Sequence, residues 1–478
     1  MSEQTIQEEV DEYLVKARNA SAVFNQLNQE QVDRIVNAVH IAGLNARVKL
    51  AKMAVEETGI GKWKDKVLKN VVATQYVYED IKDLKTVGVI SEDFKTGITE
   101  IAQPLGPILG IIPCTNPTST VMFKILISLK TRNPIILSLP RRAEECCTAA
   151  AKLMYEAALQ ENAPEDCIQW IRSSNREKTG AIMSDPRLAL ILATGGEGLV
   201  HAAYSSGTPA LGVGPGNVPV YIERSADIPF AAEQIMFSKT FDNGTICASE
   251  QAIIVEKDYA DQVVDEFEKL NAYIVPEDKL KQLEETVFNQ ERGLMSAEIV
   301  GKSAKYIADK ASIEVPDNVQ LLIAKQTGVG KDYPLSSEIL APVIALYEAS
   351  DFDHAVNICI DLNFHGGMGH TASIFSNDKE KTTKFSMVMN AGRIVVNSPS
   401  SLGAVGGTYN TLDASFTLGC GSGGRNITTD NITAKHLLNI QRITRRRINS
   451  RMVNFDNSLY FDETVKATTI ENQFNKNY

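Results

Sequence analysis

The sequence lacks the long apolar stretches and the basic surplus that mark membrane and nucleic-acid-binding proteins. No segment approaches 18 consecutive apolar residues, and the first 30 residues are acidic and polar, unlike a secretory signal. The 59 acidic residues outnumber the 48 basic ones, and a formal charge of −11 gives no general attraction for nucleic acid or for an anionic membrane. We therefore expect a cytoplasmic protein whose partners are small molecules or copies of itself.

Paired cysteines are also missing. The chain has seven cysteines, an odd number without any C-x-x-C pair, so neither a disulfide framework nor a zinc site is indicated. They are scattered, at Cys114, Cys146, Cys147, Cys167, Cys247, Cys359 and Cys420. We expect reduced thiols and no bound metal.

From about residue 107 the sequence alternates short β-branched runs with helix-length segments. Such alternation predicts parallel strands joined by crossover helices, and 478 residues suffice for two or three domains. One group of runs lies at residues 108–112, 135–139, 188–192 and 218–222, and a second group at residues 252–255, 342–347, 372–376 and 393–396. The pattern predicts an α/β protein with two α/β domains.

The residues before the first run follow other patterns. Apolar residues recur at helical spacing between Val32 and Val39, and Gly43 is placed to end that helix. In residues 87–106, glycine and aspartate punctuate β-type segments, which predicts a hairpin away from the main sheets. The tail beyond about residue 452 is polar and rich in asparagine, and it carries no assignment.

Two residues are the first candidates for chemistry. Cys247 follows Gly244, which permits a tight turn, and a thiol after such a turn can project into a cleft where a backbone N–H meets a developing oxyanion. Asn116 lies between a strand and a helix, where its amide can donate to a substrate oxygen and Thr118 or Ser119 can cap the helix. A buried structural cysteine and an ordinary Asn-Pro loop explain the same residues, so both roles stay open.

Further candidates are weaker when each is taken alone. The glycines at 195, 196 and 198 follow a strand and can bring backbone N–H groups to a dinucleotide, although they do not form the G-x-G-x-x-G fingerprint. Glu338 precedes a strand and can accept hydrogen bonds from ribose hydroxyls, whereas an isolated glutamate is ordinarily a solvated surface group. His370 is the histidine best placed to act as an acid or base, and a structural role explains it equally well.

Seven blocks, taken in order, carry more information than any single residue. They are NPTSTVMFKILISLKTRNPII, LATGGEGLVHAAYSSG, GVGPGNVPVYIE, SKTFDNGTICASEQ, SEILAPV, GHTASIF and NITAKHLLNI. Together they resemble the aldehyde dehydrogenase superfamily over nearly the whole chain, and most closely the aldehyde dehydrogenase half of bifunctional acetaldehyde/alcohol dehydrogenases. The resemblance implies that Cys247 is the nucleophile, that Asn116 holds the oxyanion and that His370 is catalytic. It implies a cofactor site formed by Pro113, Arg141, Arg142, Thr194, Gly195, Gly196 and Glu338.

The same resemblance implies a fold and a division into domains. The expected fold is that of aldehyde dehydrogenases, with a Rossmann-like cofactor domain, an α/β catalytic domain and a small oligomerisation hairpin. We assign residues 1–85 and 106–240 to the dinucleotide-binding domain, 241–436 to the catalytic domain, 86–105 and 437–449 to oligomerisation, and 450–478 to a tail. A homodimer or homotetramer is expected. The residues after about 450 leave no room for an alcohol dehydrogenase half, so we expect a single reaction.

One departure from the wider superfamily bears on the reaction. Hydrolytic members place a glutamate in an E-L-G-G-K-type motif to activate water, and the corresponding position here is Val213 in VGPGNVP. Valine cannot accept a proton, so the acyl-enzyme should await a better nucleophile than water. A thiol, whose ordinary pKa is about 8.5, supplies some thiolate at neutral pH. Coenzyme A fits this chemistry and the resemblance, which together imply a reversible coenzyme A-acylating aldehyde dehydrogenase.

Cofactor and substrate remain less defined. Many NAD-selective relatives have an acidic group where Arg141 and Arg142 stand, and arginines can accommodate a 2′-phosphate, so NAD and NADP both stay open with NAD slightly favoured. Acetaldehyde is the default substrate. The hydroxyl-rich residues 397–415 can also bind an anion, which makes a substituted two-carbon aldehyde such as sulfoacetaldehyde an alternative.

Two other functions compete with this one. A hydrolytic aldehyde dehydrogenase would need a different base, such as Glu250 or His370, and would release the free acid. A non-catalytic assembly protein would keep the fold after losing the site, which the intact Cys247, Asn116 and Glu338 argue against. The basic cluster at residues 445–447 fits a strand end at a subunit interface better than a phosphate site.

Overall fold

The structure, a computed structural model, describes residues 3–172, 175–289 and 293–476. Contacts divide the chain into two compact units. The larger unit comprises Met1–Leu84 and Pro104–Leu438, and the smaller comprises Lys85–Gln103 and Asn439–Tyr478. Within the described ranges, no helix combines the length and apolar character needed to cross a bilayer.

The helices are distributed along the whole chain. Their bounds are α1 Glu3–Phe24, α2 Gln29–Asn45, α3 Arg47–Thr58, α4 Trp63–Val71, α5 Val77–Ile81, α6 Pro117–Lys130, α7 Glu144–Gln160, α8 Arg176–Met183, α9 Glu197–Tyr204, α10 Ile228–Thr240, α11 Ala260–Lys269, α12 Leu280–Val287, α13 Ala304–Lys310, α14 Phe352–Gly366, α15 Lys379–Val388, α16 Ser400–Val405, α17 Ser450–Val453 and α18 Ala467–Lys476. A π-helical segment, Val72–Tyr76, joins α4 to α5.

The strands are mostly short. Their bounds are β1 Gly88–Asp93, β2 Ile98–Pro104, β3 Ile108–Ile111, β4 Ile135–Ser138, β5 Ile168–Ile171, β6 Leu190–Thr194, β7 Ala210–Val213, β8 Val218–Ile222, β9 Glu250–Glu256, β10 Ala272–Ile274, β11 Phe288–Asn289, β12 Leu294–Met295, β13 Leu321–Lys325, β14 Val343–Ala349, β15 Gly369–Phe375, β16 Ala391–Val396 and β17 Leu438–Thr444.

The first large sheet has five parallel strands in the order β5-β4-β3-β6-β7. The chain leaves β3 toward β4 on one side and later returns to β6 on the other. In open parallel sheets, such a reversal opens a crevice at the carboxyl ends of the two central strands, where ligands bind. Apolar residues of α1, including Val10 and Leu14, pack against this sheet and are fully buried. The ends of β3 and β6 are therefore the place in this sheet where the topology favours a ligand site.

The second large sheet has seven strands in the order β10-β13-β14-β9-β8-β15-β16, and all its pairings are parallel. One face is covered by α10 and α11, and the other by α14. Near-continuous apolar strands such as β9, in which every residue is buried, are typical of a sheet covered on both faces. The predicted α/β class with two parallel sheets is confirmed.

The smaller unit contains a three-stranded sheet in the order β1-β2-β17, in which β1 and β2 form an antiparallel hairpin. The predicted hairpin is thus present. In the tail, which had no assignment from the sequence, Phe455 packs against Tyr460 and Phe474.

Three details of the sequence interpretation are wrong. Gly43 does not end a helix: it lies inside α2, where a Cβ would come within 2.9 Å of the Thr74 methyl group, so it is needed for close packing. The run at 218–222 was grouped with the first sheet but forms β8, in the interior of the second sheet. The strands of both sheets are equally apolar, so their composition does not indicate the sheet to which each belongs. Thr118 and Ser119 do not cap α6, since Thr118 Oγ1 instead donates to Asn70 Oδ1.

Candidate active site

Cys247 lies in the turn between a 3₁₀ segment, Phe241–Gly244, and strand β9. Gly244 has φ +71°, and a Cβ there would lie 2.8 Å from the carbonyl oxygen of Ala341, so only glycine fits this approach. Cys247 is partly exposed. The thiol itself is largely shielded from water, and this burial, together with the nearby Glu338 carboxylate, raises the pKa of Cys247 to about 12, while Arg393 opposes the shift. The resting side chain is therefore a protonated thiol.

Cys247, His370 and Glu338 converge on Gly216. A Cβ at position 216 would lie 2.2 Å from the Cys247 carbonyl oxygen and 3.2 Å from His370 Cε1, and the backbone N–H of Gly216 donates to Glu338 Oε1 at 2.9 Å. Glu338 is thus not a solvated surface group, and burial raises its pKa to about 7. Three candidates from distant parts of the sequence meet around one glycine.

His370 is fully buried at the start of β15. Its Nδ1 hydrogen-bonds Thr371 Oγ1 at 2.9 Å, and its Nε2 has no hydrogen-bond partner among the described residues. Burial and the nearby Arg393 guanidinium lower the pKa of His370 to about 3, so the imidazole is neutral. A buried, unpartnered ring nitrogen is costly unless something else uses it, which marks His370 Nε2 as a candidate contact for a ligand.

A second group of side chains lies beneath the Cys247 turn, and we call it the Asp242 cluster. Its members are Asp242, Lys66, Lys69, Thr245 and Asn116. Asp242 Oδ2 accepts hydrogen bonds from Lys66 Nζ at 2.9 Å, Lys69 Nζ at 2.5 Å and Thr245 Oγ1 at 2.7 Å. Both lysines and Asp242 are buried. The cluster joins α4 to the 3₁₀ segment before Cys247.

Asn116 is held by this cluster. Its Oδ1 accepts a hydrogen bond from Lys69 Nζ at 2.6 Å, while its Nδ2 lies 3.5 Å from the Thr245 carbonyl oxygen and 3.3 Å from Thr115 Oγ1. The amide oxygen is thus firmly bonded and the amide N–H groups only weakly, which leaves a donor for a substrate oxygen beside the segment leading to Cys247.

A third group, the Lys239 cluster, comprises Lys239, Gln251, Glu250 and Glu338. Lys239 Nζ donates to Gln251 Oε1 at 2.7 Å and to the Ile339 carbonyl oxygen at 2.9 Å. Burial lowers the pKa of Lys239 to about 7, against the charges of Glu250 and Glu338. Burial likewise raises the pKa of Glu250 to about 7, although the Ser400 N–H donates to its Oε1 at 2.8 Å. This cluster changes its charge near neutral pH.

Six of the seven predicted cofactor residues lie at the carboxyl ends of three adjacent strands, and the seventh, Glu338, lies in the segment before β14. Pro113 follows β3, Arg141 and Arg142 follow β4, and Thr194 ends β6. After β6, the turn continues through Gly195 and Gly196 into α9. A Cβ at Gly196 would meet nothing within 4 Å, so this backbone is open to a ligand, and Arg141 and Arg142 are exposed. The arrangement fits a dinucleotide in the crevice.

Sequence reasoning missed Lys66, Lys69, Asp242 and Lys239. In WKDKVLKN the lysines look like the solvated face of an amphipathic helix, since long charged side chains are seldom buried. Val213, which ends β7, is buried as an apolar residue should be. A carboxylate from elsewhere nevertheless lies close enough to raise the pKa of the thiol, since Glu338, in the segment before β14, has that effect on Cys247. In the described part of the chain, no cluster of three or more His, Cys, Asp or Glu side chains is placed to hold a metal ion.

The protein is an α/β protein with two large parallel sheets. The strand order of the first sheet favours a nucleotide site, and the turn that carries Cys247 lies near buried polar clusters. Together these features define a thiol-based candidate active site. The description "Aldehyde dehydrogenase family" belongs to the family model that matches residues 2–314 and 326–411. This chain is therefore a member of the aldehyde dehydrogenase family.

Individual relatives sharpen the comparison. The chain is 44% identical over 461 residues to an aldehyde-alcohol dehydrogenase of Clostridium acetobutylicum, covering 96% of this chain but 53% of that relative. The chain thus spans about half the length of this relative. It is 37% identical to a sulfoacetaldehyde dehydrogenase of an Acholeplasma species, covering 90% of this chain and 89% of that one. A crystal structure of an acetylating aldehyde dehydrogenase from Geobacillus thermoglucosidasius superposes with TM-score 0.90 at 45% identity, covering 93% and 98% of the two chains.

Proposed function

We propose that this protein is a coenzyme A-acylating aldehyde dehydrogenase that oxidises a short-chain aldehyde through a thioester on Cys247. The single observation that carries the proposal is the convergence of Cys247, His370 and Glu338 on Gly216, with Asn116 beside the same turn. A thiol, a base and an amide donor are the groups that acyl transfer through a covalent intermediate requires. The relatives named as acetylating support the choice of coenzyme A as the acceptor.

Each of these residues has a proposed role. Cys247 Sγ attacks the aldehyde carbon, and the Asn116 Nδ2–H group and a backbone N–H near Cys247 hold the resulting oxyanion. The thiol is protonated at rest, so its proton must leave as the bond forms. Glu338, with a pKa of about 7, is the stronger base near the thiol. The neutral His370, with a pKa of about 3, offers Nε2, which has no hydrogen-bond partner among the described residues, as a contact for the substrate. Loss of hydride from the former aldehyde carbon converts this adduct into a thioester, and the thiol of coenzyme A then takes the acyl group from Cys247. Exchange between two thioesters is nearly isoenergetic, so the reaction runs in both directions.

The crevice at the ends of β3, β4 and β6 is the proposed cofactor site. Thr194, Gly195, Gly196 and Pro113 would hold the dinucleotide, and Glu338 would bind a ribose. A nicotinamide in this site supplies the hydride acceptor. Arg141 and Arg142 are exposed at the end of β4, so both NAD and NADP fit, with NAD preferred on resemblance. The ratio of catalytic efficiencies with the two cofactors tests that preference.

The domain roles and the assembly are proposed on the same basis. Residues 1–85 and 106–240 would bind the dinucleotide, although β8 belongs to the seven-stranded sheet and α10 packs against that sheet. Residues 241–436 would contain the catalytic residue Cys247. The hairpin at 86–105 and the strand at 437–449 would support a homodimer or homotetramer. Light scattering on the purified protein measures that state.

For the aldehyde, we propose a two-carbon compound, either acetaldehyde or sulfoacetaldehyde. Within residues 397–415, Ser400 Oγ is buried and finds no hydrogen-bond partner in the part of the chain that the structure describes, whereas Ser401 is bonded to Ser238. A free buried hydroxyl favours a substrate with a polar substituent. A panel of aldehydes assayed with coenzyme A present separates the two.

A test of the central proposal is mass spectrometry of the protein and its products. Wild type with aldehyde, NAD⁺ and coenzyme A should give acyl-coenzyme A, and without coenzyme A it should accumulate one acyl group on Cys247. Cys247→Ser should lose the acyl adduct and at least about 10³-fold in turnover. Cys359→Ala, which removes a buried thiol in α14, is the matched control and should keep both the acyl adduct and the turnover of the wild type. Acyl-coenzyme A formation by Cys247→Ser would refute the proposal.

Hydrolysis is the second candidate, and one observation favours it. The Glu338 carboxylate lies close enough to affect the pKa of Cys247, and its own pKa of about 7 suits a general base for water. A hydrolytic enzyme would release the free acid at full rate without coenzyme A. The same product analysis therefore decides between the two acceptors.

A further inference from the structure

The Asp242 cluster contains a contact that the catalytic roles proposed above leave unexplained. Lys69 Nζ carries three protons and bonds three acceptors: Asn116 Oδ1 at 2.6 Å, Asp242 Oδ2 at 2.5 Å and Thr245 Oγ1 at 2.8 Å. Its side chain is buried, and its hydrogen-bonding capacity is filled. Such a lysine is a rigid donor, in contrast to a flexible surface charge.

The contact decides which way the Asn116 amide points. A lysine ammonium has no acceptor, so the atom facing Lys69 must be the amide oxygen, and the two N–H groups must face the other way. On that side, Nδ2 lies toward the Thr245 carbonyl oxygen, two residues before Cys247. A cation bonded to an amide oxygen also draws electron density from the nitrogen, which strengthens the N–H group as a donor.

The same cluster holds the backbone that carries the thiol. Asp242 and Asn243 have φ values of +48° and +54°, in the left-handed region that side chains other than glycine rarely adopt. The Asp242 carboxylate holds this turn through Lys66, Lys69, Thr245 and the backbone N–H of Lys62. Lys69 is the member whose side chain also bonds the Asn116 side chain, and it therefore links the amide to the thiol turn.

We propose that Lys69 is a positioning residue for the oxyanion site: it orients and polarises the Asn116 amide so that Nδ2–H points at the oxygen of the reacting carbonyl. Lys69 itself touches neither substrate nor thiol. The inference rests on the proposed function for the role of Asn116, and it adds a residue from α4 that the sequence comparison does not single out. Lys66 is not equivalent, because its Nζ contacts the Thr115 carbonyl oxygen in place of the Asn116 side chain.

The decisive experiment compares two reactions of the same thiol. Acylation by p-nitrophenyl acetate forms a bond from sulfur to the acetyl carbon, passes through an oxyanion and releases p-nitrophenolate. Alkylation by iodoacetamide displaces iodide at carbon and forms no oxyanion. Lys69→Met should slow the ester reaction by about 10- to 100-fold, since losing an oxyanion donor altogether costs about 10²- to 10³-fold, while the iodoacetamide rate stays within about twofold.

A double-mutant cycle then tests whether Lys69 acts through Asn116. Lys69→Met added to Asn116→Ala should slow the ester reaction no further than Asn116→Ala alone, because the group it positions is gone. In steady-state turnover with aldehyde, the loss should fall on kcat and leave KM for the aldehyde within about threefold. Lys130→Met, which removes a buried lysine paired with Asp33 at 2.6 Å, is the matched control and should keep both thiol reactions.

Each contrary result has a distinct meaning. Unchanged ester acylation, equal slowing of both thiol reactions, or a double mutant that multiplies the two losses would each overturn the positioning role. If Lys69→Met does not fold, Lys69→Met combined with Asp242→Asn, compared with Asp242→Asn alone, repeats the test without the unpaired carboxylate. Absence of acyl-coenzyme A from wild type would instead defeat the proposed function, and the ester reaction would still report on Lys69.

Discussion

Two polar clusters include residues of the segment around Cys247, and they have opposite charge patterns. The Asp242 cluster sets one carboxylate between two ammonium groups, and the Lys239 cluster sets one ammonium group among two carboxyl groups. Lys239 lies in the last turn of α10, three residues before Asp242. One short segment therefore carries a cation into one cluster and an anion into the other.

The clusters respond differently to burial. Burial opposes the ionisation of Asp242, but Lys69 and Lys66 outweigh it and hold the pKa of Asp242 below its ordinary value. In the Lys239 cluster burial prevails, and the pKa values of Lys239, Glu250 and Glu338 all lie at about 7. Burial also lowers the pKa of Lys69 to about 8, so the charged hydrogen bonds of the Asp242 cluster keep its carboxylate ionised without protecting its lysine to the same degree. In the Lys239 cluster the lysine and both carboxyl groups titrate near neutral pH, because their charged partners do not offset burial.

The largest expected effect comes from removing the carboxylate of the Asp242 cluster. Asp242→Ala leaves two buried ammonium groups without their carboxylate, and breaking a buried pair in this way costs about 3–5 kcal/mol of unfolding free energy. Urea denaturation of wild type and variant measures the loss. A loss below about 1 kcal/mol would mean that the lysines find other partners, and that the first cluster does not depend on its carboxylate.

A glycine tests the same cluster through packing alone. Gly61 has φ +76°, and a Cβ there would lie 2.0 Å from Asp242 Oδ1. Gly59 has a similar φ of +64°, but its Cβ would meet only the flexible end of Lys302 at 3.2 Å. Both alanine variants bear the left-handed backbone cost, so Gly61→Ala should be less stable than Gly59→Ala by about 1–3 kcal/mol, the usual cost of overpacking. Equal melting temperatures would show that Asp242 moves aside freely.

The smallest expected effect concerns pH. Glu250 has a folded-state pKa of about 7, above its ordinary value, so its protonated form stabilises the fold at low pH and that contribution is lost as pH rises toward 7. Glu250→Gln cannot titrate and keeps the acceptor for the Ser400 N–H. Between pH 5 and 8, the free energy of unfolding of the wild type should fall by about 1–2 kcal/mol more than that of the variant, as measured by denaturation at each pH. Parallel pH curves would contradict the titrating character of the second cluster.

Much of the architecture could be predicted from sequence because strand patterns are local. The runs at 135–139 and 393–396 became β4 and β16 with nearly the predicted bounds, and the hairpin formed between β1 and β2. Sheet membership is not local, so the run at 218–222 was placed in the wrong sheet. Gly43 was misinterpreted for the same reason, since its partner Thr74 comes from a different helical segment.

The same distinction between local and non-local information applies to the candidate site. Cys247, Asn116, His370 and Glu338 could be singled out because their residue types and neighbouring blocks carry the resemblance. Their convergence on Gly216 could not be derived, because it depends on β8, β15 and the segment before β14 meeting in one sheet region. Nor does the sequence distinguish the buried lysines of α4 from solvated ones.

By itself, the sequence determined the class of fold, the order of most strands along the chain and the residue types available for thiol chemistry, because these follow from local patterning and side-chain chemistry. The tertiary structure decided which charges are paired and which titrate. Lys69 and Asp242 are 173 residues apart in sequence, yet Lys69 Nζ lies 2.5 Å from Asp242 Oδ2. The pKa of a buried group depends on the neighbours that folding brings to it, and those neighbours come from elements that local sequence does not connect.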